Sequence, residues 1–149
     1  MQVGTLEGDA KESSVALAIE VDGSTLQFAP QSNGLFADKV ELSFYSLNQS
    51  GKAQVGTRAL MNLTLKPETV QRVKAGGVRA NPRITLAPGR YQIRIGAREE
   101  SSARLGSVFY DLIVPDFSQD PLMLSGTLLS APSSDQTPTA HPDPPNAHL

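Results

Sequence analysis

The segment LAPGRYQIRIGARE, residues 86–99, constrains the fold more than any other part of the chain. Apolar and polar side chains alternate from Tyr91 to Ala97, which predicts a β-strand with one buried face. The dipeptide Pro88-Gly89 comes just before this strand and is a strong turn signal. This spacing lets the ring of Tyr91 enter a core while its hydroxyl bonds backbone upstream, the arrangement called a tyrosine corner. The alternative is a tyrosine that is only buried.

The next alternating segment, Arg104 to Val114, is predicted to pair with this strand. If Glu100 to Ala103 form the connecting loop, Tyr91 faces Leu112 and one face of the hairpin is almost wholly apolar, as a core requires. The other face carries an apolar ladder flanked by arginines. Its six members are the candidate interaction face: Arg90, Arg94, Arg98, Leu105, Phe109 and Ile113.

Two interpretations of this candidate interaction face stay open. In the first, the arginine stems cover the ladder and Arg94 stacks on Phe109. In the second, the face docks a neighbouring domain or a protein partner, because aromatic and arginine side chains are favoured at interfaces.

Further short segments with a period of two indicate more strands. They are Ser14 to Val21, Ser24 to Phe28, Lys39 to Leu47, a strand within Ala53 to Leu65, Arg79 to Leu86 with an edge position or bulge at Pro82, and Leu122 to Leu129. The dipeptide Asp22-Gly23 predicts a two-residue hairpin loop. A short helix is predicted over about residues 67–75, because Pro67 suits its start and Gly76 its end. The predicted fold is all-β, an immunoglobulin-like antiparallel β-sandwich of about seven or eight strands with one short connecting helix.

The predicted domain organisation is one sandwich over residues 1–130 and a disordered tail over residues 131–149. The tail holds five prolines and little that could be buried. The start of the chain has neither a basic nor an apolar stretch, so no signal peptide is predicted. No apolar run approaches the ~20 residues of a membrane-spanning helix, and the formal net charge of -2 argues against a nucleic-acid partner.

The sequence predicts no enzymatic activity, no cofactor and no metal site. Cysteine is absent, and the two histidines, His141 and His148, both lie in the predicted tail. Glu99 and Glu100 are neighbours on a strand and point to opposite faces, so they do not form a carboxylate pair.

Basic residues concentrate in the middle of the chain, where six of the thirteen fall between Arg79 and Arg104. One interpretation is a solvated sheet face whose charges oppose edge-to-edge aggregation. The other is a patch for an anionic partner such as an acidic polysaccharide, although tryptophan is absent and aromatic rings for stacking on sugars are few.

Several local patterns follow one another in a characteristic order. They are Asp9-Ala10-Lys11, Pro67 to Gly76, Pro88 to Arg98, Leu105-Gly106-Ser107, Val114-Pro115-Asp116-Phe117 and Leu122 to Gly126. In this order they resemble the C-terminal region of the bacterial VWFA-related (von Willebrand factor A-related) secreted proteins, over roughly residues 5 to 130. In that family a von Willebrand A domain with a metal-ion-dependent adhesion motif precedes this region. The string Asp22 to Leu26 lacks the second serine of that motif, so the resemblance implies no metal site here.

The resemblance implies an accessory sandwich domain of a larger exported bacterial protein, periplasmic or extracellular. The expected function is therefore that of a non-enzymatic module for protein interaction or domain spacing. The alternative is a carbohydrate- or polyanion-binding module that uses the arginine-rich sheet face.

Overall fold

The computed structural model of the chain describes residues 2–6, 12–119 and 137–142. Strands dominate it and form two sheets, which confirms the all-β part of the predicted fold class and is consistent with a β-sandwich. The strands are β1 (Gln2–Leu6), β2 (Ser13–Val21), β3 (Ala29–Pro30), β4 (Phe36–Asn48), β5 (Ala53–Leu65), β6 (Val78–Ala80), β7 (Arg83–Leu86), β8 (Gly89–Glu99), β9 (Leu105–Val114) and β10 (Thr139–Ala140). One α-helix, α1 (Pro67–Gly76), connects β5 to β6.

The first sheet is built around β2. This strand pairs antiparallel with three others: with β1, with β7 along its first residues and with β6 along its last residues. Strand β10 runs parallel to β6. The single strand predicted from Arg79 to Leu86 is therefore two strands, and the predicted irregularity at Pro82 lies between them. Pro82 has no N–H to donate, but its carbonyl accepts a hydrogen bond from the Leu17 N–H at 2.9 Å.

The second sheet is built around β4. Strand β5 pairs along one side of β4 and β8 along the other, and β9 continues the sheet beyond β8. The short strand β3 pairs with the first residues of β4. The strands predicted within residues 39–47 and 53–65 are thus confirmed, with β4 extending further at both ends.

The apolar faces of the two sheets enclose one core. On β2 the buried positions recur at every second residue, and the same holds along β4, as the sequence period requires. The largest fully buried side chains include Leu17 of the first sheet and Phe44 of the second. Helix α1 adds Val70 and Val73, and it ends at Gly77, whose φ of 80° is costly for any other residue.

The hairpin predicted at Asp22-Gly23 is wrong. A single turn of 3-10 helix, Gly23–Thr25, follows β2, and the Asp22 carboxylate accepts the Ser24 N–H at 2.9 Å. A Cβ on Gly23 would overlap the Val73 carbonyl oxygen, so this glycine permits close packing against α1 and does not form a hairpin loop. Residues 24–28 consequently form no strand, although Leu26 is buried.

The predictions for the end of the chain are covered only in part. The strand predicted from Leu122 to Leu129 lies outside the described residues. Within the predicted tail, residues 137–142 are described, and there Thr139–Ala140 pairs with β6 at the edge of the first sheet. The Arg79 N–H also donates to the Pro138 carbonyl at 2.9 Å, so these tail residues have a definite edge position.

Candidate interaction face

The corner at the start of β8 has the geometry that the Pro-Gly-x-Tyr pattern requires. The Tyr91 hydroxyl donates a hydrogen bond to the Ala87 carbonyl at 2.9 Å, and the Tyr91 ring packs against the core. The chain turns at Pro88 and Gly89 between these two groups. This bond ties the first residue pairs of β8 to the loop before it and so helps to fix where the strand begins.

The predicted register of β8 and β9 is confirmed. Tyr91 lies opposite Leu112, Arg94 opposite Phe109, and Arg98 opposite Leu105. The Glu99 N–H donates to the Arg104 carbonyl at 3.0 Å and closes the hairpin. This register places the six residues of the candidate interaction face on one side of the sheet, which we call the outer face.

The opposite side of β9 differs from the prediction of an almost wholly apolar, core-facing surface. Leu112 and Val114 are buried, but Val108 is 51% and Tyr110 43% exposed. Burial against the other sheet therefore reaches only the last part of β9. The prediction fails for Val108 and Tyr110 because it assumed that the core covers the full length of the strand.

The outer-face ladder of β9 is strongly exposed. Leu105 is 74%, Phe109 68% and Ile113 64% exposed, and the arginines at 90, 94 and 98 are exposed beside them. These fractions do not support the interpretation in which arginine stems cover the ladder. Three apolar side chains, separated by Ser107 and Asp111, therefore face solvent along β9, with the arginines of β8 beside them on one side.

Two further residues extend the outer face across the sheet. Tyr45 on β4 lies opposite Arg94, and Leu60 on β5 lies in the row that ends at Leu105; both are exposed. The Tyr45 ring sits against Gly56, where a Cβ would lie 3.2 Å from it. The sequence prediction of the candidate interaction face included neither residue. Tyr45 was identifiable, because it is out of phase with the buried positions of β4 and therefore lies on the outer face.

Polar contacts hold the centre of the outer face. The Arg94 Nε donates to Gln92 Oε1 at 2.8 Å, and the Gln92 Nε2 donates to Asp111 Oδ1 at 3.2 Å. A shallow groove of about 550 Å³ lies against this network and the turn after β4. The network orients Arg94 beside Phe109 before any partner binds.

A buried pair of carboxyl groups lies at the far end of the same hairpin. Asp38 on β4 accepts hydrogen bonds from the N–H of Gln27 at 3.0 Å and from its neighbour Lys39 at 2.7 Å. Glu99 accepts the N–H of Ser101 at 3.1 Å and of Ser102 at 2.6 Å, and both serine hydroxyls also bond to it. The two carboxyls bond to each other, so the pair joins the segment before β3 to the β8–β9 loop.

The two members of this carboxyl pair have opposite pKa shifts. Burial and, to a smaller extent, the nearby Glu99 raise the pKa of Asp38 to about 6, although the hydrogen bond from the Lys39 N–H acts to lower it. Burial alone would raise the pKa of Glu99 as well, but hydrogen bonds from Ser101 and Ser102 outweigh it and lower that pKa to about 2. Between these values the pair holds one proton, and Asp38 carries it.

The sequence contained a signal for this pair that was not used. Asp38 is in phase with the buried residues Val40 and Leu42, and Glu99 is in phase with Ile93 and Ile95. A carboxyl group on a buried face needs a hydrogen-bond partner, and two carboxyl groups on neighbouring strands can serve as partners for each other when one of them is protonated.

A cleft of about 470 Å³ opens between the sheets beside Glu99. Its walls are mainly apolar and include Ile19, Leu26, Ile95 and Val108. Within the described parts of the chain, no three or more histidine, aspartate or glutamate side chains gather in a way that could hold a metal ion. No helix in those parts is long and apolar enough to cross a membrane.

Comparison with known proteins assigns the chain to no family. No protein-family model matches the sequence, and no curated protein matches it.

Proposed function

We propose that this chain is a non-enzymatic, immunoglobulin-like accessory module of a larger exported bacterial protein, and that it docks a protein partner or a neighbouring domain through its outer face. The observation that carries the proposal is the exposed row of Leu105, Phe109 and Ile113 on β9. The resemblance to VWFA-related proteins supplies the context of an exported protein.

The composition of the outer face supports docking of protein. Several exposed large apolar side chains on one face of a sheet indicate an interaction site more strongly than single exposed residues do. Here the central row joins Tyr45, Arg94 and Phe109 across three strands. Tyrosine and arginine are enriched among residues that dominate binding energy, and Arg94 is already oriented by Gln92.

The chemistry of the described residues supports a non-enzymatic module. The carboxyl pair is the only strongly perturbed group of acids among them, and backbone N–H groups and two serines occupy its oxygens. Its bonds fasten two loops together, which is a structural role.

One observation favours the alternative of polyanion binding. The three exposed arginines at 90, 94 and 98 lie along one face of β8, where a linear anionic polymer could contact them in turn. Asp111 on the same face and the exposed apolar ladder oppose this function, because both would be unfavourable beside a solvated polyanion.

The test uses the chain with a von Willebrand A domain from a VWFA-related protein as the probe partner, titrated by calorimetry. Phe109→Ser should weaken the association at least about thirtyfold, the effect of losing an anchor worth roughly 2 kcal/mol. Arg94→Ala should weaken it as well, by a factor that shrinks as salt is added. Val108→Ser and Arg83→Ala are the matched controls, since they remove similar side chains from other surfaces.

Melting curves of the same variants distinguish the alternatives. If Phe109→Ser and Arg94→Ala lower the stability of the chain and leave association unchanged, the outer face is an internal packing surface and the proposal is wrong. Saturable, salt-sensitive binding of heparin that is lost in Arg94→Ala but kept in Phe109→Ser would instead establish the polyanion function.

A further inference from the structure

We infer that the outer face and the edge of β9 pair with a second copy of this chain, antiparallel and centred on Phe109, to continue the sheet across a two-fold axis. This inference rests on the proposed function, because it names the partner of the same face.

The backbone of β9 has a free edge in the part of the chain that the structure describes. There β9 pairs with β8 alone. The hydrogen bond from the Glu99 N–H to the Arg104 carbonyl fixes which residues point toward β8, since hydrogen-bonded and non-bonded pairs alternate in antiparallel ladders. By this alternation, the N–H and C=O groups of every second residue from Leu105 to Ile113 point away from β8 and have no strand partner among the described residues.

The residues with free backbone groups are the same residues whose side chains form the outer face. An added strand would therefore gain hydrogen bonds and bury Leu105, Phe109 and Ile113 from one side. The edge also lacks the usual protection, because β9 is ten residues long, contains no proline and has one charged side chain, Asp111.

The sequence of β9 is nearly symmetric about Phe109, and this symmetry selects a second copy as the added strand. A two-fold axis at Phe109 places these residues opposite one another in the two copies: Leu105 and Ile113, Gly106 and Leu112, Ser107 and Asp111, Val108 and Tyr110, and Phe109 and Phe109. Apolar side chains on the outer face then meet apolar ones, and the hydroxyl of Ser107 meets the carboxylate of Asp111. A one-residue slip would move each side chain to the opposite face of its partner strand.

The charges of the outer face tolerate this pairing. Arg94 lies on β8, so the two copies of Arg94 are separated by three strand spacings, roughly 14 Å. That separation exceeds the ~8 Å screening length at physiological salt. The strands in contact carry only Asp111, which lies opposite a neutral serine.

The first test measures the mass of the full chain by sedimentation at about 10 to 500 µM, a range that covers interfaces of modest area. The wild type should be a dimer whose dissociation follows concentration. Ser107→Pro removes one outward N–H and should raise the dissociation constant at least about tenfold. Ser107→Ala keeps that N–H and should leave the dimer largely intact.

The second test uses the absence of cysteine from the sequence. The variants Ser107→Cys and Asp111→Cys are oxidised separately and as a mixture. In the inferred register the mixture should form disulfide-linked heterodimers. Each variant alone should not, because its two thiols would lie four residues out of register, about 13 Å apart and beyond disulfide reach.

Three results would overturn the inference. The first is a wild-type chain that stays monomeric over the whole concentration range. If its Ser107 and Phe109 amides are also protected from hydrogen exchange, the edge is occupied by another segment of the same chain. The second is a dimer that Ser107→Pro leaves unchanged, and the third is a disulfide pattern that does not depend on mixing. A monomer that still binds the von Willebrand A domain through Phe109 would refute the second copy while the proposed function stands.

Discussion

The carboxyl pair makes the stability of this domain depend on pH in an unusual direction. Asp38 is buried, and its pKa of about 6 means that it folds as a neutral acid which donates a hydrogen bond to Glu99. Above that pH the domain must bury two charged carboxylates side by side. We therefore expect the free energy of unfolding to fall as the pH rises from about 4 to above 6.

The expected size of this effect follows from the pKa of Asp38 in the two states. That pKa is about 6 in the folded chain and 3.8 for an ordinary aspartate, and each tenfold difference in proton affinity corresponds to about 1.4 kcal/mol. Asp38 thus contributes up to about 3 kcal/mol to the free energy of unfolding. This contribution is fully present when the pH is below the ordinary pKa of 3.8, and it is lost as the pH rises past the folded-state pKa of about 6. Glu99 acts in the opposite sense: its contribution is present above its ordinary pKa of 4.5 and is lost as the pH falls toward 2. Because the two contributions are lost in opposite directions of pH, the pair stabilises the fold most near pH 4.

The substitution Asp38→Asn isolates the effect. An asparagine stays neutral at every pH and can donate its amide hydrogen to Glu99, but its amide nitrogen cannot accept the N–H of Gln27 or Lys39. Near pH 4 the free energy of unfolding of the variant should be about 1 kcal/mol below that of the wild type, the cost of one hydrogen bond. As the pH rises past 6, this difference should shrink or reverse, because only the wild type is destabilised. Its stability should be nearly constant from pH 5 to 8.

Urea denaturation at half-unit pH steps from about 3.5 to 8 measures both curves with the same unfolding probe. Asp111→Asn is the matched control, because it removes a carboxylate from the exposed outer face and should keep the wild-type dependence. A wild type whose stability stays level between pH 4 and 7 would refute the shared proton. An Asp38→Asn variant that keeps the wild-type slope would show that other groups cause it.

Three further predictions test the fold. Tyr91→Phe removes the hydrogen bond to Ala87 and should cost about 1 kcal/mol in urea denaturation, whereas Tyr91→Ala should cost roughly 3 to 5 kcal/mol through the cavity it leaves; equal stability of wild type and Tyr91→Phe would contradict a tyrosine corner. Gly23→Ala should lower the melting temperature by several degrees, because a Cβ there overlaps the Val73 carbonyl, while Gly34→Ala has open space and tests only the effect of its φ of 78°. Removal of residues 137–149 deletes one two-residue edge strand and should shift the melting temperature by less than about 2 °C, so a fall of 10 °C would refute a peripheral tail.

The sequence was sufficient to predict the β8–β9 hairpin because each of its determinants is local. The turn residues, the tyrosine and the two alternating segments lie within residues 86–114, and the register set by the four-residue loop brings both apolar sets to the same face, whereas a one-residue slip would not. Helix α1 was predictable for the same reason, since Pro67 marks its start and the pair Gly76-Gly77 its end, although the helix runs one residue beyond the predicted residue 75. The pairing partners of β2 were not predictable, because those strands come from distant parts of the chain and the period of two indicates a strand without naming its neighbour.

The error at Asp22-Gly23 has a related cause. Both the hairpin loop and the observed 3-10 turn favour an aspartate followed by a glycine, so the dipeptide alone does not choose between them. The choice is made by α1, whose Val73 carbonyl occupies the space where a Cβ on residue 23 would lie. A contact between segments about fifty residues apart in sequence decides the local conformation.

The burial of the carboxyl pair and the exposure of β9 were also not predictable from the sequence, because both depend on contacts between the two sheets. A strict period of two predicts only that a side chain belongs to the inner face, and Glu99, Val108 and Tyr110 all satisfy that period. Their environments differ because the opposite sheet covers part of that face, leaving Glu99 buried with Asp38 and Val108 beside an open cleft. Since β9 therefore presents apolar side chains on both of its faces, its exposure cannot be relieved by repacking within the hairpin. A strand added along the edge of β9, which is unpaired among the described residues, would place its side chains beside those of β9 on both sides of the sheet, and for this reason we place the partner at that edge as well as on the outer face.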